Sequence, residues 1–352
     1  MVKVRGLRLS VNPEFTLSVE SFNVAAGEVC AVIGPNGAGK TTLLNTLALL
    51  TEADSGSIEI MGRDALNSAH KMFLRRAMSV VFSQPYLVND TVYGNVALPL
   101  KLRGVKDGPA VEAALELFKI GHLKDRNART LSQGESHRAA LARAFVTGPR
   151  LLLLDEPFGS LDARVKETIV RDLRRALKSA GVAVALVTQD QGEALALCDS
   201  MAVMAGGKIA QRGSAQEIFA RPASKEVADF VGVETILPGS VVKKEANLCY
   251  IEADGKTLEV ISDCAEGDRV FVCVRPEDVT VSGNPDAGSM RNHFGARIIS
   301  VEPWRLEFKV GLDCGFSLMA AVTKQSVEGL GLKPGMDVFA SFKATAAHLI
   351  KR

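Results

Sequence analysis

The sequence predicts an α/β domain with a mostly parallel sheet sandwiched between helices, followed by an all-β domain built like a small barrel. Three observations carry that expectation. The strand-like run Val29-Cys30-Ala31-Val32-Ile33 enters a glycine-rich loop, Gly34-Pro35-Asn36-Gly37-Ala38-Gly39-Lys40, and Thr41-Thr42-Leu43-Leu44-Asn45 then reads as a helix. The apolar runs Leu151 to Leu154 and Val182 to Val187 read as strands buried on both faces, while Glu112 to Phe118 and Arg138 to Phe145 have helical periodicity. After Pro238 the texture changes to short β runs broken by Gly, Asp and Asn.

At 352 residues the chain is long enough for two or three domains with well-buried cores. A hydrophobic content of 47% and a charged content of 23% describe an ordinary globular protein. A formal charge of +2, without a long one-sign run, gives no support to a nucleic-acid partner. The six cysteines (Cys30, Cys198, Cys249, Cys264, Cys273, Cys314) form no CxxC pair and read as small buried apolar residues in a reducing cytosol. The N-terminal stretch lacks the apolar core of a signal peptide, and no apolar run approaches the roughly 20 residues that span a bilayer.

Taken in order, residues 1–60 alternate short β runs with turns, and the strand–helix alternation holds to about Val231-Gly232-Val233. This places an α/β domain at 1–236, with a helical subdomain at about 85–150, and a β domain at 237–352. The β domain contains a weak repeat: Gly267-Asp268-Arg269-Val270-Phe271 reappears as Gly335-Met336-Asp337-Val338-Phe339, with Arg275 in register with Lys343. Two subdomains, 238–282 and 289–352, joined near Ser282 to Gly288, explain the repeat; one larger domain with a coincidental repeat is the alternative.

The glycine loop points to phosphate chemistry. Its glycines let backbone N–H groups turn inward, and the following helix adds the partial positive charge of its N-terminus. Gly34, Pro35, Asn36, Gly37, Ala38, Gly39, Lys40, Thr41 and Thr42 are the predicted ATP-binding residues, with Lys40 against the β/γ-phosphates and the Thr41 hydroxyl on Mg²⁺. Asp155 ends an apolar strand, where its carboxylate can hold the Mg²⁺ shell.

This loop, then Leu131-Ser132-Gln133-Gly134-Glu135, then Leu151-Leu152-Leu153-Leu154-Asp155-Glu156-Pro157, in that order, resemble the ATP-binding cassette (ABC) family. The resemblance implies an ATPase with a P-loop fold that works as a homodimer beside two transmembrane permease subunits at the cytoplasmic face of the membrane. An external solute-binding protein then acts indirectly. It further implies that Glu156 is the general base, and that Gln84 is a glutamine-loop residue sensing Mg²⁺ and water. Ser132 and Gly134 match the signature residues that reach the γ-phosphate of the partner's ATP. Ser160-Leu161-Asp162 matches the loop linking the two sites.

Two departures stand out besides Gln133, which replaces the usual first glycine. Gln189 stands where the family usually has a histidine; an amide can donate a hydrogen bond to the γ-phosphate but cannot titrate. Phe15 is the only aromatic near the adenine slot, and it is equally a strand core residue, since Phe15, Leu17 and Val19 alternate as an apolar face.

Met290-Arg291-Asn292-His293-Phe294-Gly295, Thr323-Lys324-Gln325-Ser326 and Ser341-Phe342-Lys343-Ala344-Thr345-Ala346 resemble the Mop-type domain, a TOBE-like, OB-like tail attached to some molybdate or tungstate importers. The expected oxyanion donors are the hydroxyls of Ser289, Thr323, Ser326 and Thr345 and backbone N–H groups around Arg291 and Ala344, with Lys343 offsetting part of the charge. Such a tail could damp hydrolysis when oxyanion is plentiful. The alternative is a structural tail on an ATPase for sulfate, iron, a polyamine or a sugar.

Overall fold

A computed structural model describes residues 1–159, 161–284, 288–304 and 306–352 of the chain, which divides into two compact units, Met1–Ala215 and Gln216–Arg352. Ser160 and residues 285–287 of the expected joint lie outside the described residues.

The first unit holds two sheets. The smaller is antiparallel, with β1 (Val2–Asn12), β2 (Phe15–Val24), β4 (Ser55–Ile60) and β5 (Arg63–Asp64) in the order β2-β1-β4-β5. The larger is built on β3 (Val29–Ile33), β6 (Met78–Val81), β7 (Leu151–Asp155), β8 (Ala183–Val187), β9 (Ser200–Ala205) and β10 (Lys208–Gly213), in the order β10-β9-β3-β8-β7-β6. All its pairings are parallel except that of the edge strand β10. Every residue of β3, β7 and β8 is buried, which is why their sequences are apolar without alternation. One core runs from the antiparallel sheet into the parallel one through residues such as Leu17, Val32, Leu44 and Leu153.

Helices connect these strands. They are α1 (Lys40–Leu47), α2 (Ser68–Ala77), α6 (Ala163–Ala180) and α7 (Gln191–Leu197), with α3 (Val92–Leu102), α4 (Gly108–Leu117) and α5 (Gln133–Phe145) inserted between β6 and β7. Their starts are chemically marked: Thr91, Asp107, Ser132, Asp162 and Asp190 each accept a backbone N–H at an N-cap.

The second unit opens with α8 (Ala215–Ala220) and α9 (Lys225–Phe230) and continues as two five-stranded antiparallel sheets. The first contains β11 (Thr235–Glu245), β12 (Leu248–Ala253), β13 (Lys256–Ile261), β14 (Arg269–Val274) and β20 (His348–Lys351), in the order β13-β12-β11-β14-β20. The second contains β15 (Thr280–Ser282), β16 (Asn292–Trp304), β17 (Glu307–Asp313), β18 (Ser317–Thr323) and β19 (Asp337–Phe342), in the order β15-β19-β16-β17-β18. A short helix, α10 (Lys324–Leu330), follows β18.

The sequence repeat is a structural one. Gly267 N–H donates to the Val241 carbonyl and Val241 N–H to the Asp268 carbonyl; Gly335 with Ile298, and Ile298 with Met336, repeat this pair of bonds. Each long strand also carries a register shift there, after Val241 and after Ile298. The halves 238–282 and 289–352 are not self-contained, however. β15, from the first half, pairs with β19, and β20, from the second, pairs with β14. A single hydrophobic core runs through both sheets, from Leu237 to Leu349. The exchange explains the difference: each half's last strand crosses over, so neither sheet is complete alone. The compact units likewise divide at Ala215, whereas the change of sequence texture falls after Pro238, because α8 and α9 group with the β domain.

Candidate active site

The glycine loop leaves β3 at Gly34, whose φ of 154° and surroundings admit no side chain: a Cβ there would lie 2.1 Å from the Met204 carbonyl oxygen. At the loop's far end Gly39 (φ 99°) caps α1 in the left-handed region, and a Cβ would come within 2.9 Å of the Phe15 ring. Phe15 therefore stands against the loop, while Leu17 and Val19 of the same strand are buried core residues.

Lys40 is buried, and its ammonium donates to the carbonyls of Gly34 and Pro35, both at 2.9 Å. Burial pulls its pKa down, and the carboxylates of Glu156 and Asp155 act in the opposite sense. The Thr41 hydroxyl donates to the Asp155 carboxylate at 3.0 Å, so the end of β7 and the start of α1 meet at two oxygen ligands. Burial raises the pKa of Asp155 against the Thr41 bond and the Lys40 charge. A buried carboxylate beside a hydroxyl is the hard-oxygen donor set that suits Mg²⁺.

Glu156 follows immediately, with φ 43°, a backbone region that costs a non-glycine residue about 1–3 kcal/mol. Its N–H donates to the Val187 carbonyl at 2.8 Å, tying this turn to the end of β8. β8 continues into Thr188, Gln189 and Asp190. Thr188 Oγ1 donates to Glu193 at 2.6 Å and accepts the Asp190 N–H, and Lys166 of α6 bridges Asp190 and Glu193, both at 2.5 Å. Gln189 is thus an exposed amide between two fixed neighbours. Lys166 is held protonated: burial works to lower its pKa, and the hydrogen bonds to the two carboxylates outweigh it.

The signature segment opens α5. Ser132 and Glu135 form a reciprocal capping box, in which the Ser132 N–H donates to Glu135 at 2.7 Å and the Ser132 hydroxyl donates to the same oxygen at 2.8 Å. The backbone bond from Ser132 is the main cause holding the Glu135 carboxyl below its usual range. A Cβ at Gly134 would meet Val165 of α6 at 2.7 Å. Asp162 caps α6 through Arg164 and Val165. Further along, Asp172 of α6, 3% exposed, pairs with Arg138 at 2.8 Å and Lys119 at 2.7 Å. α5 is therefore fastened to α6 by both a close backbone approach and the ion pair of Arg138 with the buried Asp172 carboxylate, which the exposed Lys119 also meets.

The structure brings Phe15, Gly34 to Thr42, Asp155 and Glu156 together around the loop. Ser132, Gly134 and Asp162 form a separate cluster at the starts of α5 and α6, and Gln84 lies exposed in the segment after β6. Sequence reasoning missed Lys166, Glu193, Asp172, His137 and Arg143. The Asp190-to-Glu193 spacing is a helix-start signal that could have exposed the Thr188 network.

In the second unit the expected oxyanion donors are dispersed. Arg291 pairs with Glu259 of β13 at 2.8 Å, and the Ala344 carbonyl accepts from Ile261 N–H at the end of that strand. Thr323 instead caps α10, accepting the Ser326 N–H at 3.2 Å with the two hydroxyls 2.9 Å apart. Ser289, Lys343 and Thr345 are exposed. Thr345 and Ala346 line a cavity of 490 Å³ together with Arg275, Glu277, Asp278 and His348.

Comparison with known proteins agrees with the geometry. The family model described as ABC transporter matches residues 17–159, and that described as TOBE domain matches residues 288–349. A molybdate/tungstate import ATP-binding protein of Pyrococcus horikoshii is 36% identical, over 99% of each chain. A spermidine/putrescine import ATP-binding protein of Nostoc sp. is also 36% identical, over 85% of this chain and 80% of that one. Among solved structures, the dimeric post-hydrolysis state of the ATP-binding cassette MJ0796 bound to ADP and Pi superposes with a TM-score of 0.55 at 26% identity. It covers 61% of this chain and 98% of that one. Among the described residues no helix is long and apolar enough to cross a membrane.

Proposed function

The chain belongs to the ATP-binding proteins of ABC importers, and from that premise we propose that this ATPase powers uptake of molybdate or tungstate. The observation that carries the cargo is a match to a molybdate/tungstate import protein that runs through the tail as well as the cassette, over 99% of the chain. The three tail stretches at Arg291, Thr323 and Lys343 support the same reading.

In this reading two copies bind two ATP between the glycine loop of one and Ser132 and Gly134 of the other, at the cytoplasmic face of the membrane beside two permease subunits. Thr41, Asp155 and Gln84 would hold Mg²⁺, which supplies charge neutralisation at the phosphates. Lys40 and the α1 N-terminus orient the triphosphate. Glu156 accepts the proton of the attacking water, and Gln189 donates an amide hydrogen bond toward the γ-phosphate. Asp162 links the two sites.

The tail would bind the imported oxyanion through Ser289, Arg291, Thr323, Ser326, Lys343, Ala344 and Thr345. The Thr323 pair and the Arg291–Ala344 group are attached to different elements, and in this reading a second, paired tail supplies the rest of the set. Oxyanion binding and ATP binding then oppose each other by the same factor. Calorimetric titration of the full chain with molybdate and tungstate, with sulfate and phosphate as controls, tests this. Micromolar binding of the first two alone supports it, and ATPase activity unaffected by saturating molybdate removes the feedback.

A second reading, polyamine import with a structural tail, is favoured by the equal 36% identity, over 85% of this chain, to a spermidine/putrescine import ATP-binding protein. Absence of oxyanion binding by the folded chain would select it.

A further inference from the structure

The segment that carries Gln84 is held by two side chains of α5. The His137 ring is 1% exposed, with Nδ1 2.8 Å from the Gln133 carbonyl and Nε2 3.3 Å from the Ser83 carbonyl. Six residues on, Arg143 Nη1 donates to the Tyr86 carbonyl at 2.7 Å. Carbonyl oxygens only accept, so Arg143 donates to Tyr86, and the His137 tautomer with its proton on Nε2 donates to Ser83. Their two acceptors bracket Gln84 and Pro85. The His137 contact with Gln133 also reaches the residue between Ser132 and Gly134.

We propose that His137 and Arg143 are positioning residues that make the glutamine loop and the signature helix one mechanical unit. A displacement of the 83–86 segment is passed to the N-terminus of α5, and closure at Ser132 and Gly134 carries Gln84 with it. Residues 82–87 form no helix or strand and Ser83, Gln84 and Tyr86 are exposed, while buried Asn95 holds the following stretch at Val88, Asp90 and Thr91. The inference rests on the ATPase assignment and not on the cargo.

The test compares the full-length chain with His137→Leu, Arg143→Leu and the double variant, and with the donor-retaining His137→Gln and Arg143→Lys. Neither residue lies in the glycine loop, so KM for ATP should stay within about twofold while kcat falls about tenfold in each leucine variant. The double variant should lose little more than either single one, because one broken tie already frees the segment. The donor-retaining variants should keep kcat within about threefold of wild type. Wild-type hydrolysis in the same assay separates failure of the tie from failure of the ATPase assignment. Unchanged kcat in the leucine variants, a rise in KM alone, fully additive losses, or equal loss in the donor-retaining variants would each overturn the proposal.

Discussion

The two units present their candidate groups in opposite ways. In the cassette, a single loop and the end of a neighbouring strand place Lys40, Thr41, Asp155 and Glu156 within a few hydrogen bonds of one another. In the tail, the hydroxyls and cations singled out for an oxyanion divide between α10, which Thr323 caps, and β13, against which Arg291 and Ala344 are fixed. In the cassette one loop and one strand end set the phosphate and Mg²⁺ groups, and in the proposed function Ser132 and Gly134 of a second copy close the site. A site made of side chains on several loops depends on strand order.

The sharpest test of this contrast is Glu156→Gln. In the proposed mechanism, losing this base should cut phosphate release at least about 100-fold while leaving ATP binding intact, read by equilibrium titration of nucleotide. An unaffected rate would mean that the compact site is not where hydrolysis occurs.

Asp172→Asn probes whether the cassette also depends on buried side-chain ties. Loss of the charge shared by Arg138 and Lys119 should lower unfolding free energy by about 3 kcal/mol, measured by denaturant titration. Burial works to raise the Asp172 pKa, but the bonds from Lys119 and Arg138 outweigh it, so the folded value is lowered. This contribution is therefore fully present above the unfolded value, about 3.9, and disappears as pH falls through the folded pKa. The Asn variant should show a shallower loss of stability on acidification.

In the tail, Thr323→Ala and Thr345→Ala should each weaken molybdate binding about tenfold in calorimetry, since the proposed site draws on both hydroxyls. Weakening by one alone would leave the other as a turn or cap residue. The smallest effect is expected at Gln189→His, which should raise kcat about threefold in steady-state ATPase assays by restoring a titratable donor. Equal rates would show that Gln189 already serves as well.

Legibility in the sequence followed the same divide. The glycine loop and the apolar β7 and β8 are local signals, and each stands where its residues place it. The repeat at Gly267 and Gly335 was visible too, but the exchange of β15 and β20 was not, since no periodicity encodes which sheet a terminal strand joins. Lys166, Asp172, His137 and Arg143 stayed hidden for a related reason. Each sits inconspicuously in a helix until tertiary structure brings its partner group from tens of residues away. Glu156 was assigned by its motif, while its left-handed backbone became visible only in three dimensions.

The strand exchange also sets a timetable for synthesis. β14 acquires its neighbour β20 only when residues 348–351 have left the ribosome, whereas β15 is made before the sheet that it completes. The earlier sheet therefore waits, with the edge of β14 unpaired, through the translation of some 70 residues, several seconds at about 5–20 residues per second. Shortening the chain at its distal end damages the half that was made first.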